Sequence, residues 1–175
     1  MENTKLTEKI GTHDLTVRMA EPGDYEEILR LNEESVHFLS PLSKEKLEYL
    51  DGQAEFHKVV TKKGNILAFL LAFREGADYD SVNYRWFADH YPCFLYIDRL
   101  VVDVAKQASG LGKLLYEEVF RYARETDVPL VTAEIDIKPP NPVSLKFHDK
   151  FDFREVGRQE VAGGNKIVSL QVSKL

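Results

Sequence analysis

A chain of 175 residues, 43% of them apolar, is long enough for one compact domain with a sizeable core and short for two. Ten Phe, eight Tyr and one Trp exclude disorder throughout, and a net charge of -6 without a basic face argues against nucleic acid as a partner. The single cysteine, Cys93, excludes a disulfide framework or a cysteine-based zinc site within one chain and suits a reducing compartment.

The first residues, Met1 to Lys9, are polar and mixed in charge, unlike a signal peptide, and residues 1–14 read as a loose tail before a domain spanning 15–175. Leu15 to Met19 alternates as a short strand. Pro22 suits a first helical turn, and Ile28, Leu29, Leu31 and Val36 predict a helix through about Val36. Ser40-Pro41 breaks it, and a short helix follows Ser43 through Leu47 and Leu50. Glu55–Thr61 and Ile66–Phe73 form a hairpin about Lys63-Gly64-Asn65. Ile66–Phe73 is the longest apolar run, of strand length, so no membrane span is expected and the chain reads as cytoplasmic.

Residues 75–92 read as irregular and unusually aromatic. Phe94–Val102 is an apolar strand followed by a glycine-bearing loop. Leu111, Leu114, Leu115, Val119, Tyr122 and Ala123 share one helical face to about Thr126, and Val128–Ile137 is a strand stopped by Pro139-Pro140. Asn141 caps a helix with Pro142 at its first position, carrying Leu145, Phe147, His148 and Phe151. Two strands, roughly Glu155–Val161 and Lys166–Val172, close the chain around Gly163-Gly164-Asn165. The order predicts one α/β domain with a mixed central sheet, and the unit from Phe94 to Ile137 is where ligands gather in such folds.

Gly110 and Gly112 flank Leu111 where a helix begins. Glycine lets a phosphate approach backbone N–H groups, the helix N-terminus favours an anion, and Lys113 adds a full charge. Alone this is as readily a tight strand-to-helix turn. The missing third glycine rules out a dinucleotide fingerprint, and the single residue between the glycines rules out a Walker loop.

The spacing of Gln107, Gly110 and Gly112 resembles the signature of the GNAT N-acetyltransferase superfamily, and within it a subgroup of bacterial acetyltransferases of unassigned substrate. Leu100-Val101-Val102-Asp103 is similar to that family's fourth strand and Ala133-Glu134-Ile135 to its fifth. Asn141, Ser144, Phe147-His148 and Phe153 are similar to the helix that follows, and Leu15–Leu31 to its first strand and helix. The resemblance implies a single-domain GNAT fold whose sheet is mixed but largely antiparallel, flanked by helices. It implies acetyl-CoA as cosubstrate, held by Leu100, Val101 and Val102, by Gln107, Ala108, Ser109, Gly110, Leu111, Gly112 and Lys113, and by Asn141, Ser144 and Phe147. No metal is expected, since the five histidines lack ligand spacing.

Acyl transfer from a thioester to an amine requires removal of an amine proton, stabilisation of the thioester oxygen and a fate for the thiolate. The resemblance gives the oxygen to a fourth-strand amide, with Val102 favoured. Asp98 and Glu134 are the candidate bases; the plain alternatives are an ion pair of Asp98 with Arg99 or Arg74 and a solvated strand position for Glu134. Strand alternation would put Asp98, Leu100 and Val102 on one face. His148 stands where the family has a tyrosine and is the candidate acid; the alternative is that it only lines the coenzyme site and the thiolate takes a proton from water. Asp152 stands where the family has glycine.

The resemblance implies that the acceptor lies opposite the coenzyme, between the first helical region, with Phe38, Ser40 and Leu42, and the aromatic insert, with Tyr79, Tyr84, Trp86 and Phe87. Asp78, Asp80 and Asn83 would receive an amine and Arg74 and Arg85 a carboxylate, for a primary amine of a small molecule, amino acid or peptide N-terminus. The insert would otherwise pack on the sheet or on a second subunit, which leaves a homodimer open, and a catalytically idle acyl-CoA-binding module remains the alternative function.

Overall fold

The computed structural model of the protein describes residues 14–36 and 39–175. Seven strands form one sheet: β1 (Leu15–Met19), β2 (Phe56–Lys62), β3 (Asn65–Arg74), β4 (Leu95–Val102), β5 (Leu130–Lys138), β6 (Arg154–Val161) and β7 (Lys166–Lys174), in the spatial order β1-β2-β3-β4-β5-β7-β6. Every neighbouring pair is antiparallel except β4 and β5, which are parallel and therefore need a crossover. The crossover is helix α4 (Leu111–Glu125). Its stripe of Leu115, Val119 and Ala123 packs on Leu95, Ile97, Val131 and Ala133. Tyr116 and Phe120 widen that buried face beyond the stripe expected.

The opposite face is covered by α1 (Tyr25–Glu33), α2 (Lys44–Gln53) and α3 (Val82–His90), while α5 (Pro142–Asp149) follows β5. The cap at Ser43 is as expected, its Oγ accepting from Lys46 N–H at 3.1 Å. So is Asn141, whose side chain accepts from Ser144 N–H at 3.2 Å above Pro142. α1 ends earlier than its apolar spacing suggests, passing into turns at Ser35 and Val36.

Residues 75–92 are not all irregular. Ser81 Oγ caps α3 by accepting from Tyr84 N–H at 3.3 Å, and Tyr84 and Phe87, one turn apart, are buried against Phe73, Phe94 and Tyr96. Each buried aromatic is worth about 1.5–3 kcal/mol, which outweighs the poor helix propensity of Asn, Tyr, Trp and His in this stretch. The insert thus packs on the chain's own sheet. Of the expected tail, residues 1–14, all but Asp14 lie outside the described residues.

Two irregularities shape the centre. The β3–β4 register passes from Leu71↔Arg99 to Ala72↔Ile97, leaving Asp98 as an extra residue on β4. Such a bulge reverses the alternation beyond it. The expected face is corrected accordingly: Ile97 falls with Leu100 and Val102 in the α4 layer, while Val101 joins Phe69 and Leu31 on the other. Second, β4 and β5 pair only at Leu95↔Val131 and Tyr96↔Thr132. From Ile97 and Ala133 onward the two strands run apart.

Candidate active site

The gap between β4 and β5 opens toward the carboxyl ends of both strands, where the loop into α4 and the start of α5 meet. Asp103 N–H donates to Leu67 O on β3 at 2.8 Å. In an antiparallel ladder alternate amides face the neighbour, so those of Leu100 and Val102 face away from β3, into the gap.

At its mouth Ala108 and Gly110 have φ of 62° and 88°, left-handed values that bend the chain into the helix. Ser109 Oγ donates to Lys106 O and tightens the turn. Among the described residues the first α4 amide to bond back is that of Leu114, to Gly110 O at 3.0 Å, so the preceding N–H groups are free for a ligand. A Cβ on Gly110 would meet nothing within 4 Å, whereas one on Gly112 would lie 3.3 Å from Leu100 and 3.6 Å from Phe147. Gly110 thus supplies the turn and an open approach, and Gly112 lets α4 sit close to β4 and α5. Lys113 is exposed near Glu117, at 3.6 Å.

Glu134 lies on β5 facing the α3 layer. Tyr96 O–H donates to its Oε1 at 2.9 Å, and its Oε2 is buried without a partner of hydrogen-bonding geometry, although Asn83 lies near enough to favour the ionised form. Burial first, and the charge of Asp98 second, push its carboxyl up to about 8. Asp98 is engaged as an ion pair, its Oδ2 2.7 Å from Arg99 Nε, and both side chains are nearly inaccessible at 5% and 3%. Its Oδ1 accepts from Tyr79 O–H at 2.5 Å. Arg99 also donates to Asn32 Oδ1 at 2.9 Å and to Ser40 O and Oγ at 3.3 Å, tying the bulge to α1 and the chain after it.

His148 is buried. Its Nδ1 is 2.8 Å from Ser144 O, which can only accept, so the proton sits on Nδ1. Burial holds the ring neutral by lowering its pKa to about 4. Nε2, 2.6 Å from Tyr116 Oη, therefore accepts a hydrogen bond from the tyrosine O–H. Both nitrogens are engaged, and the reading of His148 as the acid is revised: in this state it has no free N–H to give. The signal for Tyr116 was its place on the buried face of α4, an aromatic with a polar tip that needs a partner when buried.

The expected substrate residues divide. Tyr79 reaches the centre through Asp98. Trp86 packs on β6, its ring so close that a Cβ on Gly157 would lie 2.8 Å from it. Asn83 accepts from Gln159 Nε2 at 2.9 Å, a second tie between α3 and β6. Tyr84 is core, donating to Arg74 O at 2.6 Å. Arg74 is removed from the acceptor side: it opposes Leu95 at the amino end of β4, pairs with Glu75 at 2.6 Å and approaches Cys93. Phe38 lies outside the described residues. Among those residues no group of three His, Cys, Asp or Glu is arranged to hold a metal, and no helix is long and apolar enough to cross a membrane.

The acetyltransferase (GNAT) family model matches residues 24–153, most of the chain, and the protein belongs to that family. No curated protein matches the chain. Among solved structures, it is similar to Ard1 from Thermoplasma volcanium, at 16% identity and a TM-score of 0.75 over 93% of this chain and 98% of that one. The ribosomal-protein-S18-alanine N-acetyltransferase from Escherichia coli is similar at 14% identity and a TM-score of 0.70, over 91% and 93%. A third, yncA from Salmonella typhimurium with its cofactor acetyl-CoA, shares 16% identity and a TM-score of 0.68 over 92% and 94%.

Proposed function

We propose that the protein transfers an acetyl group from acetyl-CoA directly to a primary amine in the cytoplasm, with Glu134 as the base. The observation that carries this is the Glu134 carboxyl at the gap between β4 and β5: raised to about 8, oriented by Tyr96, with Oε2 left without a partner. A base poised near neutral pH can take a proton from an ammonium that arrives charged, directly or through one water.

The loop residues fit the pyrophosphate of coenzyme A: free amides, the Gly110 turn and the α4 N-terminus suit an anion, while Gln107, Ala108 and Lys113 border it. The gap suits the pantetheine arm, with Asn141, Ser144 and Phe147 on the α5 side. The donor supplies the activated acyl group; in this reading the amide of Val102, seconded by that of Leu100, stabilises its oxygen. With His148 accepting from Tyr116, the departing thiolate takes its proton from water. A homologous fold solved with acetyl-CoA supports the choice of donor.

The engaged nitrogens of His148 also favour a second reading, an idle acyl-CoA-binding module. Thiol release with acetyl-CoA across a panel of amines separates the two. Turnover on at least one amine is expected, with Glu134→Gln lowering it by about 100-fold or more; thermal stabilisation by acetyl-CoA without thiol release on any amine establishes the module instead.

A further inference from the structure

On the face of the sheet that α3 covers, the register forms two short rows across β5, β7 and β6. Glu134 and Gly157 both stand against Leu170, and Asp136 and Gln159 both stand against Val168. Val168 and Leu170 belong to the apolar layer of Tyr84 and Phe87. α3 lies against both rows. Trp86 packs on Gly157, and one turn earlier Asn83 Oδ1 accepts from Gln159 Nε2 at 2.9 Å. The other end of that amide, Nδ2, is left for Glu134, whose carboxyl lies close by. Only β7 separates β5 from β6, about 10 Å, a distance that Gln159 and Asn83 span end to end.

Glu134 is otherwise faced by Tyr96 and Asp98 of β4, by Tyr79 in the segment before α3, and by Asp136, which has Lys166 of β7 at 3.0 Å. Tyr116 of α4 feels its charge from the other side, and Arg99 is bound to Asp98. Tyr96 O–H donates to Oε1, and Oε2 has no partner of hydrogen-bonding geometry. Burial and Asp98 raise the Glu134 carboxyl, while Tyr96 and Asn83 oppose them. A neutral carboxyl here would need an acceptor for its own O–H, whereas a carboxylate needs only donors. Tyr96 and Asn83 offer two donors, and the acceptor that Asn83 could present is taken by Gln159.

We propose that Asn83 is a positioning residue for Glu134: its Nδ2 amide closes on Oε2 when the carboxylate forms, and Gln159, by holding Oδ1, keeps that donor end turned inward. In this role, which rests on the reading of Glu134 as the base, a helix outside the motifs that carry the family resemblance helps the base to ionise in a buried place.

The titration of the Glu134 side-chain carboxyl, followed by carbon-13 NMR in the full chain and identified by its loss in Glu134→Gln, tests this without turnover. Asn83→Leu removes the donor at similar volume, and the midpoint should rise by roughly one pH unit. Gln159→Glu presents Asn83 with an acceptor in place of a donor. The amide then turns its Oδ1 to Glu134, and the midpoint should rise likewise, but no further in the Asn83→Leu background. The rising limb of kcat/KM for thiol release should follow each midpoint. Asn83→Ala takes the place of Asn83→Leu if the latter does not fold. A midpoint unmoved by loss of the Asn83 amide overturns the inference. So does a Gln159→Glu shift as large without that amide as with it, since it is then a charge acting through space. Shifted midpoints with no thiol release on any amine uphold the positioning and overturn the transfer reading.

Discussion

Two of the three candidate catalytic side chains, His148 and Asp98, are engaged by neighbouring side chains in the structure. His148 accepts from Tyr116 and donates to Ser144 O, an arrangement that fixes α5 against α4. Tyr116→Phe should leave Nε2 buried without its donor and lower stability by about 1–3 kcal/mol, read as a fall in the urea midpoint, with the ring's tautomer and pKa followed by NMR. Unchanged stability and an unchanged His148 signal would show that the bond is not held in solution. Asp98, paired with Arg99, acts on Glu134 as a neighbouring charge. Asp98→Asn removes that charge, so Glu134 should ionise at lower pH and the rising limb of kcat/KM should move downward; a limb that stays in place would remove Asp98 from this role.

Among the elements, α3 was hidden because its apolar residues are aromatic and few, and strand and loop propensity dominate the local composition. Ser81, Tyr84 with Phe87 and the closing Pro92 were the available signs of a helix. The bulge at Asp98 left no sign in the sequence, since Ile97-Asp98-Arg99-Leu100 reads as an ordinary alternation until the register of β3 is known. The caps at Ser43 and Asn141 were legible because their side chains answer a purely local need. The tie between α3 and β6 predicts that Gly157→Ala will be costly, since its Cβ would stand 2.8 Å from the Trp86 ring, itself stacked on His90 at 3.7 Å between centroids. Overpacking of this kind costs typically about 1–3 kcal/mol and should show as a lower melting temperature. At the loop, Gly110→Ala meets open space but strains a φ of 88°. A loss of about 1–2 kcal/mol in stability is expected, with weaker acetyl-CoA binding measured by calorimetry; retention of both would show that the turn does not need its glycine.

At the scale of the whole molecule, the strand and helix order and the mixed sheet could be read from periodicity, because each element must bury its own apolar face. The separation of β4 from β5 could not, since it depends on which amides remain unpaired after folding. Burial and the charge of Asp98 leave Glu134 with its raised pKa, and the pH dependence of stability follows. Between its ordinary 4.5 and about 8, folded Glu134 keeps a proton that the unfolded chain has released, so its contribution falls as pH rises through that window. Between about 4 and its ordinary 6.5, folded His148 refuses a proton that the unfolded chain binds, so its contribution falls as pH drops. Glu134→Gln should therefore gain stability relative to the natural chain from about pH 6.5 to 8, measured by urea unfolding.

The most direct measure of the central claim is the pH dependence of thiol release from acetyl-CoA with a saturable amine, compared between the natural chain and Glu134→Gln. In kcat/KM the natural chain should rise with pH through a pKa of about 8, and the variant should be slower and lack that limb. A variant with the same limb and undiminished turnover would contradict the assignment of Glu134 as the base.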